Sequence, residues 1–200
     1  MTKRQLWILG LVSATLLSFF ALGIFLRGGA NTFTEKVKMR DGIHLATDVY
    51  LPARAGRFPT ILIRTPYNRK NFDYEAKEAV QEGFAVVVQD VRGRFDSEGL
   101  ALAFYNDTED GYDTVEWIIR QKWSNGKVAT YGGSAMGIVQ NMLAMNPHPA
   151  LTTQFVIVAA ASLYHDAAYQ GGVLRKEQVE GWLIKNKFPE ENSLLYRQHP

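Results

Sequence analysis

Cysteine is absent from the 200 residues. That excludes disulfides, a thiolate nucleophile and any metal site built on sulfur. Histidine is scarce, and His44, His148, His165 and His199 show no H-E-x-x-H or comparable ligand spacing, so no metal site is expected. Net charge is only +2, with no basic stripe interleaved with aromatics, so no nucleic-acid partner is implied. The dinucleotide pattern G-x-G-x-x-G and the phosphate-loop pattern G-x-x-x-x-G-K-[ST] are both missing. Repeats and low-complexity segments are missing too. What is present is a hydrophobic content of 46%, enough for one domain with its own core.

Charge is also lacking from Leu6 to Leu26, 21 residues that at 1.5 Å each could cross a ~30 Å hydrocarbon layer. Lys3 and Arg4 precede this stretch and Arg27 follows it. A retained anchor over residues 1–27 is expected, with Met1 to Arg4 in the cytoplasm and the globular part outside it. The alternative is a secretory signal cleaved near Gly28-Gly29-Ala30, against which the length of the apolar stretch argues.

Beyond the anchor, residues 28–34 read as a linker. Glu35 to Met39 and Ile43 to Leu51 alternate around Arg40-Asp41-Gly42, the pattern of a hairpin. Thr60 to Arg64 and Phe84 to Gln89 are short apolar runs, as expected of strands covered on both faces. Asp73 to Glu82 reads as a helix stopped by Gly83. Asp107 to Gln121 reads as a second helix, with acids in its first turn where the dipole favours them. Trp123-Ser124-Asn125-Gly126 reads as a turn, Thr153 to Ala160 as a further apolar strand, and Arg175 to Lys185 as a helix. Strands alternating with helices predict an α/β fold with a mostly parallel sheet.

The stretch around which the rest is organised runs from Lys127 to Ile138. Val128 to Tyr131 is a β-branched and aromatic run that stops at Gly132-Gly133-Ser134, and a helix is expected from Met136 to Met145. A serine at the apex of a strand–turn–helix suits a nucleophile elbow, in which a strained backbone projects the hydroxyl above the sheet. Gly132 supplies the small residue two places before the serine, but two places after it stands Met136, with Gly137 one further on. On these residues alone, a glycine-rich turn cradling a phosphate at a helix N-terminus stays open beside the elbow.

With further segments the sequence resembles the Xaa-Pro dipeptidyl-peptidase-like hydrolases, the family that includes cocaine-esterase-type enzymes and α-amino-ester hydrolases. The resemblance runs from about Val37 to about Gly172. It is carried by Met39-Arg40-Asp41-Gly42, Asp48-Val49-Tyr50-Leu51-Pro52, Arg64-Thr65-Pro66-Tyr67, Gln89-Asp90-Val91-Arg92-Gly93-Arg94, Asp110-Gly111-Tyr112-Asp113, Gln121-Lys122-Trp123-Ser124-Asn125-Gly126 and Tyr131-Gly132-Gly133-Ser134.

The resemblance implies an α/β-hydrolase fold, with residues 35–165 as its N-terminal part and 166–200 as the start of a helical cap-like segment. It implies Ser134 as nucleophile and an oxyanion site made of the Ala135 N–H and the Tyr67 hydroxyl. It also accounts for the bulky residue at Met136 with the glycine at Gly137. Ala135 departs from the tyrosine usual in the family, which alters a pocket wall and leaves the backbone donor. Arg92, Asp96 and Asp113 are read as residues tying down loops.

The expected activity is that of a serine hydrolase acting on ester or amide/Xaa-Pro peptide bonds through an acyl-enzyme, on a small-molecule or short-peptide substrate and without a cofactor. The family's acid and histidine lie beyond the end of this sequence, as do most of its cap and its C-terminal jelly roll. The chain is therefore expected to be incomplete at its C-terminal side, and a non-catalytic membrane-anchored remnant is the alternative. An improvised triad would combine Ser134 with Asp166 and His199.

Overall fold

The structure, a computed structural model, describes residues 30–189. The expected anchor from Leu6 to Leu26 and the candidate base His199 lie outside these residues. Among the described residues no helix is long and apolar enough to cross a membrane.

Strand β1 (Ala30–Lys38) pairs antiparallel with β2 (His44–Pro52) along its whole length, from Ala30 opposite Pro52 to Lys38 opposite His44. The hairpin closes at Gly42, whose φ of 91° suits a residue without a Cβ. β1 thus begins inside the stretch read as a linker over 28–34. Asn31 to Thr34 are exposed, so this part of the strand is held by backbone pairing and by the Thr34 hydroxyl donating to Asp48 at 2.7 Å. Side-chain alternation carries no sign of such pairing.

Next come β3 (Phe58–Thr65), a 3₁₀ turn (Arg69–Phe72), α1 (Asp73–Gln81) and β4 (Ala85–Asp90). α2 (Asp107–Ile119), β5 (Ser124–Gly133), α3 (Ala135–Ala144) and β6 (Leu151–Ile157) complete the main sheet. β5 starts at Ser124, within the expected turn. A register shift between Phe58 and Thr60 and a positive φ at Gly126 let the Ser-Asn-Gly sequence remain in the strand.

The six strands lie in the order β1-β2-β4-β3-β5-β6. β4, β3, β5 and β6 are mutually parallel, and β2 joins β4 antiparallel. This bears out a mixed α/β sheet with flanking helices. One face, with Val49, Leu62, Val87 and Val128, packs on Val115 and Ile118 of α2 and Leu143 of α3. The other face, with Tyr50, Ile63, Val86 and Val88, packs on Ala76 and Val80 of α1. Taking each of these Val, Leu and Ile side chains out of water contributes about 1.5–3 kcal/mol, which is why the apolar runs end up central. β6 is the outermost strand among the described residues, and its Phe155 is 63% exposed, stacked on Tyr131 at 5.9 Å.

After β6 the chain makes a π-helical turn (Leu163–Ala168), a two-residue hairpin (β7, Tyr169–Gln170, and β8, Val173–Leu174) and α4 (Lys176–Lys185).

Candidate active site

In an open α/β sheet the crevice outside the carboxyl ends of the strands is where ligands bind, and the crossing from β4 over β3 to β5 opens one here. β3 and β5 are parallel neighbours, so the residues that follow them emerge at the same edge. Those residues are Tyr67 and Ser134. Their hydroxyl oxygens stand 3.4 Å apart.

Ser134 has φ 56° and ψ −127°, a combination that costs an L-residue roughly 1–3 kcal/mol. Its own N–H donates to Ile157 O at 2.9 Å, and its carbonyl accepts from the N–H groups of Gly137 (2.9 Å) and Ile138 (3.1 Å). Buried Gln140 braces the same turn: its Nε2 donates to Gly132 O at 3.0 Å and its Oε1 accepts from Thr130 at 2.8 Å.

The glycine spacing follows from contacts. A Cβ on Gly132 would stand 2.6 Å from the Cβ of Met136. A Cβ on Gly137 would stand 2.4 Å from that of Ala159, just past β6. Gly133 is less constrained, 3.2 Å from Ile157 O. Gly137→Ala is therefore expected to lower stability by about 1–3 kcal/mol in urea unfolding, and Ala159→Gly in the same chain to restore most of it. A neutral Gly137→Ala would show that α3 and the segment after β6 are not pressed together.

Tyr67 is fixed by its own loop. Its N–H donates to Thr65 Oγ1 at 3.0 Å, and its carbonyl accepts from Asn71 Nδ2 at 2.7 Å. Two residues on, the Arg69 N–H donates to Asp90 Oδ1 at 2.7 Å and the Arg69 guanidinium to Asp90 Oδ2 at 2.6 Å, joining this loop to the end of β4. Asp90 is wholly buried, and burial pushes its carboxyl above the usual carboxylate range against the pull of Arg69.

α4 closes over the two hydroxyls. Trp182 donates its indole N–H to Tyr67 Oη at 3.3 Å. Trp182, Leu183 and Val179 of α4, with Phe104, Leu163 and Ile138, line a cavity of about 150 Å³ that opens onto Ser134 and Ala135.

The family model for X-Pro dipeptidyl-peptidase (S15 family) matches residues 41–196. The chain belongs to this family. It is 39% identical over 155 residues to the cocaine esterase of Rhodococcus sp. (strain MB1 Bresler), covering 73% of this chain and 27% of that protein. Among solved structures, an α-amino acid ester hydrolase is 30% identical with a TM-score of 0.58, over 64% of this chain and 25% of that one. A CocE/NonD family hydrolase from Staphylococcus aureus has a TM-score of 0.68 at 22% identity, over 89% of this chain and 40% of that one, a likeness of fold alone. The chain spans about a quarter of the length of the curated cocaine esterase it matches.

The other residues singled out in this S15 chain divide clearly. Arg92 pairs with Asp110 and Asp41, both at 2.6 Å, and Asp113 accepts from the Arg40 guanidinium at 2.7 Å, tying the first hairpin to α2. Asp96 pairs with Arg69 at 2.8 Å and Lys70 at 3.3 Å.

None of the three described histidines hydrogen-bonds Ser134: His44 faces Glu98 at 3.1 Å, His148 faces Glu116 at 2.7 Å, and the His165 ring packs edge-on against Tyr164. Asp166, the acid of the improvised triad, spends Oδ2 on the Ser162 N–H at 2.9 Å within its own turn.

Sequence reasoning passed over Gln140, Trp182, Phe104 and the role of Arg94. For Trp182 the one local signal was a large aromatic beside Val179, Leu183 and Ile184 on a short helix, which reads as a packing face.

Proposed function

We propose that this chain carries the nucleophile and oxyanion site of a serine hydrolase that cleaves esters, or amide and Xaa-Pro peptide bonds, through an acyl-enzyme. One observation supports it above the others: at the carboxyl edge of the sheet, a serine held at φ 56° faces a tyrosine hydroxyl 3.4 Å away.

In this reading Ser134 Oγ attacks the carbonyl carbon and the carbonyl oxygen becomes an oxyanion. Two donors meet it. The Ala135 N–H belongs to the first turn of α3, where backbone donors have no intrahelical acceptor. The Tyr67 O–H already lies beside Oγ. Such preorganised donors act where charge develops, and losing one costs roughly 10²–10³ in rate. Collapse of the intermediate expels the alcohol or amine, and water then releases the acyl group. The base that takes the Oγ proton and returns it to the leaving group lies outside the described residues. The apolar cavity beside Ser134 suits an uncharged acyl or leaving group, and similarity to a cocaine esterase and an α-amino acid ester hydrolase favours esters.

A biotinylated fluorophosphonate tests the reading. The phosphonylated residue is expected to map to Ser134, and Tyr67→Phe to slow labelling by about 10²–10³, because the adduct's phosphoryl oxygen occupies the same site. A folded protein labelled elsewhere, or not at all, would overturn it. The latter result is the one expected of the second reading, a non-catalytic membrane-anchored remnant, which is favoured by the engagement of His44 and His148 with glutamates away from Ser134.

A further inference from the structure

We infer that Trp182 is a positioning residue that aims the Tyr67 hydroxyl at the oxyanion, an inference that rests on the serine-hydrolase reading above. A phenol offers one proton and two lone pairs, whereas an indole N–H can only donate. With Trp182 Nε1 3.3 Å from Tyr67 Oη, the indole occupies one lone pair and disfavours any rotamer that points the phenolic proton towards it. Among the described residues the other hydrogen-bonding neighbour within reach is Ser134 Oγ, at 3.4 Å. The phenolic proton is thereby directed to the side where the substrate oxygen becomes charged. Accepting a hydrogen bond also polarises the phenol and makes it a stronger donor.

The indole is placed with care for this task. Phe104 stacks on it at 5.7 Å between ring centroids with 20° between planes, and Phe188 packs against it at 5.0 Å. α4 is clamped at its C-terminal end by one guanidinium. Arg94 donates to Asn186 O at 2.6 Å and Lys187 O at 3.1 Å, satisfying carbonyls that a helix end leaves over, and lies 4.4 Å from the centre of the Phe188 ring. The same Arg94 donates to Pro66 O at 3.3 Å, the carbonyl immediately before Tyr67. One side chain thus fixes the helix that bears the donor and the loop that bears its acceptor. Trp182 is half-buried, and a backbone carbonyl would satisfy its indole N–H for packing equally well. Here the acceptor is the hydroxyl beside the candidate nucleophile.

Replacing Trp182 by 3-benzothienylalanine tests this on the full chain. The analogue keeps the ring shape and the stacking on Phe104 and Phe188 but carries sulfur in place of N–H. The maximal rate of fluorophosphonate labelling at Ser134 is expected to fall about five- to tenfold, the worth of one such hydrogen bond, with half-saturation unchanged. In a Tyr67→Phe background the same replacement should change the rate by less than about twofold, because the acceptor is already gone. In ¹⁵N-tryptophan spectra, Tyr67→Phe should shift the indole N–H resonance assigned to Trp182 and speed its exchange with solvent.

An equal loss of rate in both backgrounds would make Trp182 a packing residue only and overturn the inference. So would an unchanged rate, or an indole resonance indifferent to Tyr67→Phe. Failure of the underlying reading shows separately, as labelling that does not map to Ser134, and it overturns this inference too.

Discussion

Ser134→Ala is expected to abolish fluorophosphonate labelling and to lower ester turnover by about 10⁶, leaving only the modest acceleration that an oxyanion site and binding supply by themselves. The magnitude follows from the loss of the acyl-enzyme route, since water must then attack without a covalent relay. Stability should be unaffected, because the backbone bonds that hold the elbow, from the Ser134 N–H to Ile157 O and from Gly137 and Ile138 to Ser134 O, do not involve the side chain. Ser134→Gly should abolish labelling equally and raise stability by about 1 kcal/mol or more, since φ 56° is costly only for a residue with a Cβ. Activity lost while stability rises is the mark of strain kept for function. Ser134→Cys adds a control that the cysteine-free sequence makes clean: the sole thiol of the chain would report directly on access to the elbow. Turnover surviving Ser134→Ala would place the nucleophile elsewhere.

The elements were legible where the physics is local. Apolar runs of strand length, Gly83 after a helical stretch and the Asp41-Gly42 turn each specify their structure within a few residues and appear where expected, although the run read as Thr153 to Ala160 forms its strand from Leu151 to Ile157. The strand–turn–helix with Ser134 at its apex was legible for the same reason, since its parts are contiguous, whereas its reading as a nucleophile elbow and not a phosphate turn came from resemblance. Two boundaries were not. Ala30 to Thr34 pair through backbone at a sheet edge, and Ser124 to Gly126 carry turn chemistry inside a strand whose register shifts there. Tyr67 became a candidate only through resemblance, because nothing in Pro66-Tyr67-Asn68 reveals that β3 will lie beside β5. Trp182 and Arg94 lay beyond reach altogether: their partners are 115 and 92–93 residues away, and only the folded sheet edge brings them together.

Arg69→Met is expected to destabilise the fold by about 3–5 kcal/mol, the cost of leaving a buried charge without its partner. Arg69 is 4% exposed and sits among three carboxylates: Asp90 at 2.6 Å, Asp96 at 2.8 Å and Asp48 at 3.0 Å. Asp96 is half exposed and can turn to water, but Asp90 is 0% exposed and cannot. Removing both members should therefore hurt less than removing one, and Arg69→Met with Asp90→Leu is expected to recover much of the loss.

The pH dependence fixes the sign. Burial holds the Asp90 carboxyl above its unfolded value even with Arg69 present, so the folded state binds the proton more readily, and Asp90's contribution to stability falls as pH rises from the unfolded pKa through the folded one. Without Arg69 the folded pKa moves higher still and that window widens upwards. The deficit of Arg69→Met should accordingly be small near pH ~4, where Asp90 can be buried neutral, and reach its full size by about pH 7. Urea unfolding at both values decides it, and a deficit that does not grow with pH would mean that Arg69 acts through packing instead. Because the Arg69 guanidinium on Asp90 also ties the loop that follows Tyr67 to the end of β4, the surviving folded fraction should label more slowly at Ser134.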